Sequence, residues 1–316
     1  LRILIADDSR TSRSMLVKVL KKIGHEVVET TDGAEAWKEL QKPDAPSLAI
    51  LDWMMPKMDG LEVVRRVRSL QSQKPPYLIM LTSKADKADI VTGLNTGAND
   101  YLPKPFDHGE LRARVEVGRR MLELQSELTE ARNALAYEAS HDYLTGILNR
   151  RAIEVELTRE LARERRRFEG LAVGICDIDH FKKINDTYGH AVGDEVLCGF
   201  VNLLQNCLRE YDLLGRYGGE EFLIILSGIR ESDVSNLFER MRLYIAYNSI
   251  ATQSGDVRIT VSIGVKVAQK NESLDQLVTD ADAALYRAKT EGRDRVCLYG
   301  PEKGTSKQQT MRTIGS

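Results

Sequence analysis

The chain is poor in the residues that staple a fold or carry it through a membrane. Its four cysteines, at 176, 198, 207 and 297, show no CxxC spacing and sit in apolar strand or helix contexts. This argues against a disulfide scaffold or a zinc knuckle and favours buried free thiols in a reducing compartment. No apolar run approaches the length that spans a bilayer, and the sequence opens directly on the strand-like LRILIADD, without a charged leader or a cleavage site. A cytoplasmic protein with no membrane partner is the expectation. Charge of one sign is also lacking: 45 basic and 47 acidic residues leave a formal net charge of -2, so no nucleic-acid partner is expected. The basic run RERRRFEG at 163–170 reads as a solvated helix end. Proline is absent from Gly109 to Gly300 and glycine is absent between Gly118 and Gly146, which leaves room for a long uninterrupted helix.

What is present divides the 316 residues into unlike parts, as a chain too long for one core should be divided. Up to about residue 108, RILIA, EVVET, LAILDW, YLIMLTS and DYLPKP read as five strands. They alternate with the helical patterns SRSMLVKVLKKIG, GAEAWKELQK, GLEVVRRVRSL and ADIVTGLNTG. This alternation predicts an α/β doubly wound parallel sheet, with functional groups at the carboxyl ends of its strands. Over 109–139, Val117, Met121, Leu124, Leu128, Ala131 and Leu135 recur in steps of four and three, the seam of a coiled coil. An amphipathic helix lying on its own domain is the alternative.

Residues 140–300 mix helices with antiparallel-looking strands, GLAVGICDID, LLGRYGG, EEFLIILSG, VRITVSIGVKVA and DRVCLYG. They predict an α+β domain with a mainly antiparallel central sheet and one open sheet face. The polar tail at 301–316 reads as disordered.

In the first domain Asp7 and Asp8 end the first strand and Asp52 ends the third. In a parallel sheet these ends are neighbours, so three carboxylates converge where magnesium would fit, with Thr82 and Lys104 on the same rim. ADDS, LDWMMPKMDG, MLTS and DYLPKPF resemble the receiver domain of bacterial response regulators over its whole length. The resemblance implies that Asp52 accepts a phosphoryl group from a histidine kinase and that Asp7, Asp8 and the carbonyl of Trp53 hold one magnesium ion. It further implies that Lys104 pairs with the phosphoryl oxygens, that Thr82 and Tyr101 act as the switch, and that the Lys104-Pro105 peptide is cis.

In the second domain, RYGGEEF places two glycines and two glutamates at the mouth of an apolar strand, and GICDID ends another strand on Asp177 and Asp179. Alternation points those two aspartates to one side and Ile178 to the other. Asp177 and one of the glutamates, on adjacent strands, would bind a divalent cation. Further on, Asn185 and Asp194 carry groups that can meet a base edge. A carboxylate accepts from the N1 and N2 protons of guanine but meets an acceptor at N1 of adenine, so Asp194 argues for guanine. Lys289 and Arg293 in AKTEGR could neutralise a triphosphate.

From HDYLTGILNRR to RDRV the sequence resembles the GGDEF family of diguanylate cyclases, with the signature in its Gly-Gly-Glu-Glu-Phe form. The resemblance implies a homodimer converting two GTP into cyclic di-GMP. A pair of magnesium ions would be held by Asp177, the Ile178 carbonyl and Glu220, and Gly218 and Gly219 would make room for phosphates or ribose. It places Asn185 and Asp194 on guanine, and Phe181, Lys182, Lys289 and Arg293 around the phosphates. Glu221 would join the metal shell or help deprotonate the 3′-hydroxyl. The resemblance also implies product inhibition at an RxxD site, Arg209 and Asp212, with Arg240 as a secondary contact. A silent receptor that only binds GTP or cyclic di-GMP is the rival reading, and a cyclase that also takes ATP a third.

Overall fold

The computed structural model describes residues 1–70, 74–82, 95–167 and 170–300. The chain forms two compact units, Leu1–Ala134 and Leu135–Ser316. The polar tail at 301–316 and most of the helix expected over 88–97 lie outside the described residues.

In the first unit, β1 (Arg2–Ala6), β2 (Glu26–Thr30), β3 (Leu48–Asp52), β4 (Tyr77–Thr82) and β5 (Asp100–Pro103) form an all-parallel sheet in the order β2-β1-β3-β4-β5. Between them run α1 (Arg10–Lys22), α2 (Gly33–Leu40) and α3 (Gly60–Ser69). Each helix starts where a short polar side chain accepts from an orphan amide: Ser9 from Ser12 N, Asp32 from Glu35 N and Asp59 from Glu62 N. Such a cap is worth about 1 kcal/mol. The central strands β3 and β4 are buried on both faces, and separate apolar clusters around Leu16, Ile50 and Leu111 and around Leu4, Val64 and Met80 cover the two sides. The strand order reverses at β1, so β1 and β3 are hydrogen-bonded neighbours whose carboxyl ends share one crevice.

The stretch expected to be one uninterrupted helix forms α4 (His108–Ser140), and the boundary between the units falls within it. Its first turns pack on the receiver-like sheet through Leu111 and Val115. Gly118 lies so close to Leu48 and Tyr77 that a Cβ there would come within 2.8 Å of each. Beyond this point Val117, Met121, Leu124, Leu128, Ala131 and Leu135, the expected seam, are all exposed among the described residues.

The second unit holds a five-stranded sheet made of β6 (Leu171–Ile178), β7 (Leu213–Arg216), β8 (Glu221–Ser227), β11 (Val261–Val267) and β12 (Arg295–Leu298), in the order β12-β11-β6-β8-β7. Only the β11–β12 pair is parallel. A short hairpin, β9 (Ile250–Thr252) and β10 (Gly255–Val257), stands apart from it. The helices are α5 (Arg150–Arg167), α6 (Phe181–Tyr188), α7 (His190–Gln205), α8 (Glu231–Tyr247) and α9 (Leu274–Thr290).

The expectation of an open sheet face is not met. Cys176, Ile178, Phe222 and Ile224 pack with Phe200 of α7 and Phe238 of α8 on one side. On the other, Val173, Ile175, Leu223 and Ile225 pack with Ile153, Leu157 and Leu161 of α5 and Leu277, Ala281 and Leu285 of α9. The covering residues of α5 lie four apart among charged neighbours, a stripe narrow enough to pass for a solvated helix. Each large side chain so buried contributes roughly 1.5–3 kcal/mol. Gly264 of β11 allows α9 its close approach, since a Cβ there would stand 2.1 Å from Leu285 N and 2.2 Å from Ala281 O.

Candidate functional site

The first unit brings its five predicted rim residues to one crevice. Ligand oxygens of Asp7, Asp8 and Asp52 all lie within 4.8 Å of one another, the single such acidic group among the described residues. Asp7 and Asp52 are buried and Asp8 is exposed. Lys104 Nζ donates to Asp7 Oδ2 at 2.9 Å and to Asp52 Oδ2 at 2.8 Å. Asp7 is further fixed by the Ser9 amide at 2.9 Å and the Ser12 hydroxyl at 2.6 Å. Burial pushes the Asp52 carboxyl above its ordinary value, more than Lys104 draws it down. Burial opposes the charged form of Lys104, but its two carboxylate partners outweigh that and leave its pKa raised.

Thr82 is buried at the end of β4, and its carbonyl accepts from Lys104 N at 2.7 Å. The Lys104-Pro105 peptide is cis. Tyr101 is half-buried, with the Arg114 guanidinium 5.7 Å from its ring centre. The Trp53 carbonyl accepts from Gly60 N at 3.0 Å, which leaves it one lone pair for a cation. Three carboxylates against one ammonium suit a hard divalent ion held through oxygen.

In the second unit, Asp177 is buried near the end of β6 and stands directly opposite Glu221 of β8 in the strand register. Its face of the sheet is the one covered by α9, and Lys289 near the end of α9 places Nζ 2.7 Å from Asp177 Oδ2. Asp179 comes to the same face, as alternation predicts, but both of its oxygens already have hydrogen-bond partners within the fold. It accepts from Ser262 Oγ at 2.6 Å, Thr260 Oγ1 at 2.7 Å and Asp294 N at 3.0 Å. Asp177, bonded through one oxygen to Lys289, is the less engaged of the two aspartates. Glu220 lies at the mouth, and its carbonyl accepts from Ile178 N at 3.4 Å.

Burial raises the pKa of Asp177, against the pull of Lys289, and the neighbouring charges of Glu221 and Asp179 raise it further. Burial likewise raises Glu220, with Asp177 adding to the effect. One ammonium for three carboxylates leaves a negative excess that a divalent cation would relieve. The ligand atoms of Asp177, Glu220 and Glu221 do not form a group as tight as that in the first unit.

The two glycines of the turn serve differently from the chain reversal that their presence suggests, for neither has a positive φ. The amides of Tyr217 and Gly218 donate to Glu221 O at 2.8 and 3.1 Å, closing the turn. A Cβ at Gly218 would come within 2.8 Å of Glu221 Oε2, whereas one at Gly219 would meet nothing within 4 Å. Gly219 therefore presents bare backbone to open space.

Of the other predicted residues, Phe181 is buried in the core, so a phosphate could meet only its backbone. Lys182 and Asp194 are exposed. Asn185 Oδ1 fills the space beside Gly193, where a Cβ would be 1.9 Å away. Arg293 lies in a left-handed turn after α9, with φ 63°, and its amide donates to Ala288 O at 3.0 Å.

The Arg209–Asp212 segment folds on itself. Asp212 Oδ2 accepts from Arg209 N at 2.9 Å, and Arg209 Nη1 reaches the Tyr211 hydroxyl at 2.8 Å. Burial raises the Asp212 pKa against the pull of that amide. Arg209 and Asp212 border an open groove of about 480 Å³ with Leu208, Leu214 and Ile147, and Arg240 is exposed on α8.

Sequence reasoning missed the residues that hold the signature turn, Arg216 and Asp142, which are joined at 3.0 Å. The one available signal was the arginine immediately before Tyr217, which says little without its partner.

Comparison with known proteins identifies a domain in each unit. A response regulator receiver domain matches residues 3–116 and a diguanylate cyclase GGDEF domain matches residues 139–295. The response regulator PleD of Caulobacter vibrioides is 31% identical over 301 residues, 93% of this chain and 65% of that protein. The diguanylate cyclase DgcM of Escherichia coli is 42% identical over 185 residues, 56% of this chain and 43% of that one. The crystal structure of the coiled coil and GGDEF domain of DgcB from Caulobacter crescentus, in complex with c-di-GMP, superposes with a TM-score of 0.54 at 31% identity. That match covers 60% of this chain and 98% of that one. The chain thus belongs to the GGDEF diguanylate cyclase family, with a response-regulator receiver domain ahead of the GGDEF domain. It spans about two thirds or less of the curated relatives it matches. Among the described residues no helix is long and apolar enough to cross a membrane.

Proposed function

We propose that the protein is a cytoplasmic, phosphorylation-controlled diguanylate cyclase that joins two GTP into cyclic di-GMP with release of two pyrophosphates. The observation that carries this reading is the buried Asp177, opposite Glu221 and bonded to Lys289 at the mouth of the Gly-Gly-Glu-Glu-Phe turn. Asp177, Glu220 and the Ile178 carbonyl would hold magnesium, which when bound lowers the 3′-hydroxyl pKa and takes up charge on the leaving pyrophosphate.

The chain's own residues supply the rest. Asn185 and Asp194 orient guanine, and Gly219 lets the nucleotide approach backbone. Lys182, Lys289, Arg293 and the Phe181 amide receive the triphosphate. The 3′-oxygen of one GTP attacks the α-phosphorus of the other, the bond to pyrophosphate breaks, and the reciprocal attack closes the ring. Glu221 would join the metal shell or take the hydroxyl proton. Each protomer binds one GTP, so the reaction requires two cyclase domains facing each other.

The exposed seam of α4 offers the means of pairing. Five large apolar residues, Val117, Met121, Leu124, Leu128 and Leu135, at roughly 1.5–3 kcal/mol each per chain, are enough to offset an association cost of about 4–15 kcal/mol when two copies zip together. A phosphoryl group on Asp52, given by a histidine kinase and held by magnesium on Asp7, Asp8 and the Trp53 carbonyl, would recruit Lys104. Thr82 and Tyr101 would shift with it, changing how the helices cross. Product bound at Arg209 and Asp212, with Arg240 as a further contact, would lock the domains in an idle pose. In domain terms, residues 1–108 sense, 109–139 couple and 140–300 catalyse.

The test is incubation of the purified chain with GTP and magnesium. Cyclic di-GMP with pyrophosphate supports the reading. Tight GTP or cyclic di-GMP binding without turnover would make the protein a silent receptor instead.

A further inference from the structure

The signature turn is held by a residue outside it. Arg216, the last residue of β7, has a side chain only 15% exposed and uses three of its nitrogens. Nε and Nη2 donate to Gly219 O at 3.2 and 2.7 Å, and Nη1 donates to both carboxylate oxygens of Asp142 at 3.0 and 3.2 Å. Asp142 also accepts from the Thr145 amide at 3.0 Å and hydroxyl at 2.7 Å.

This loop is tied to the last turn of α4. Asn149 N donates to Ser140 O at 2.9 Å, Asn149 Nδ2 to Ala139 O at 3.0 Å and the Tyr137 hydroxyl to Gly146 O at 3.2 Å. The Tyr137 ring stacks on His141 at 3.8 Å. One guanidinium therefore joins the end of α4, through Asp142, to the carbonyl that precedes Glu220. A planar fork with fixed donor directions transmits position in a way that a flexible ammonium does not.

We propose that Arg216 is a positioning residue for nucleotidyl transfer. By holding the Gly219 carbonyl it sets where Glu220 and Glu221 stand relative to Asp177, and through Asp142 it makes that placement depend on how the end of α4 is seated. The inference rests on the cyclase reading and adds to it. Reorientation of α4 then acts twice: it brings two protomers together, and it tunes the metal-binding carboxylates within each one.

The test uses the full chain with a beryllofluoride mimic on Asp52, GTP as substrate and magnesium titrated. Arg216→Lys keeps the charge but loses the fork, and Asp142→Asn keeps the shape but loses the ion pair. Both should lower kcat on the order of 10- to 100-fold. Both should raise the magnesium concentration for half-maximal turnover while leaving KM for GTP at saturating magnesium within about twofold. Melting temperature and dimer mass should be retained. Folded variants with unchanged kcat and magnesium dependence would overturn the proposal, as would a loss of turnover that only follows a fall in melting temperature. If the unsubstituted chain makes no cyclic di-GMP, the cyclase reading fails and this inference with it; the two failures differ in which chain is silent.

Discussion

Lys289 Nζ lies 2.7 Å from Asp177 Oδ2, so the last helix of the second unit delivers its cation onto the aspartate near the end of the central strand. The contact joins residues 112 positions apart and depends on α9 lying directly on β11 over Gly264. Gly264→Ala should force the helix outward, at a cost of about 1–3 kcal/mol for an overpacked core. Thermal unfolding should show the loss, and turnover should fall with it, because Lys289 moves away from Asp177.

The burial that raises Asp177 and Glu220 gives the site a pH dependence with a definite sign. Protons and magnesium compete for the ionised carboxylates. Apparent magnesium affinity should therefore fall on acidification, starting at a higher pH than for solvated carboxylates. Metal-free stability runs the other way. The folded state binds protons that the unfolded state has already released, so this pair's contribution is greatest below the ordinary carboxylate values and is lost as pH rises through the raised ones. Calorimetric magnesium titrations and melting curves across the acid range check the two signs.

Asp52 and Lys104, 2.8 Å apart, define the receiver prediction. Asp52→Asn should leave basal turnover of GTP intact and abolish the increase produced by beryllofluoride. Full activation of the variant would remove phosphorylation at this position from the account.

At the RxxD turn, Arg209→Ala removes the exposed guanidinium while Asp212 can still cap the backbone amide. Initial rates should match the parent, and accumulated product should continue to rise where the parent stalls. An unchanged inhibition constant would show that the groove there does not bind product.

The seam on α4 should respond to charge. Leu124→Glu together with Leu128→Glu places like charges on a surface that two copies would bury, and should shift the chain to monomer in sedimentation with loss of turnover. A dimer that survives both changes would have to be held elsewhere.

The parts readable from sequence were those written in local pattern. The five parallel strands, the long helix and the convergence of Asp7, Asp8 and Asp52 follow from period and position. Contacts that join distant segments were less visible. The apolar stripe of α5, Ile153, Leu157 and Leu161, is diluted by charge, so the second face of the cyclase sheet read as open. The fate of Asp179 depends on Thr260, Ser262 and Asp294, far along the chain, and the clamp from Arg216 to Asp142 joins two residues unremarkable on their own.

The most direct test of the central claim is the reaction itself, run on the parent chain and on Asp177→Ala side by side with GTP and magnesium. The account predicts cyclic di-GMP and pyrophosphate from the parent and a fall on the order of 10²- to 10³-fold for the variant, the scale lost when one charge-stabilising group of a site is removed. Equal product from both chains, or none from the parent while it binds magnesium and GTP, would contradict it.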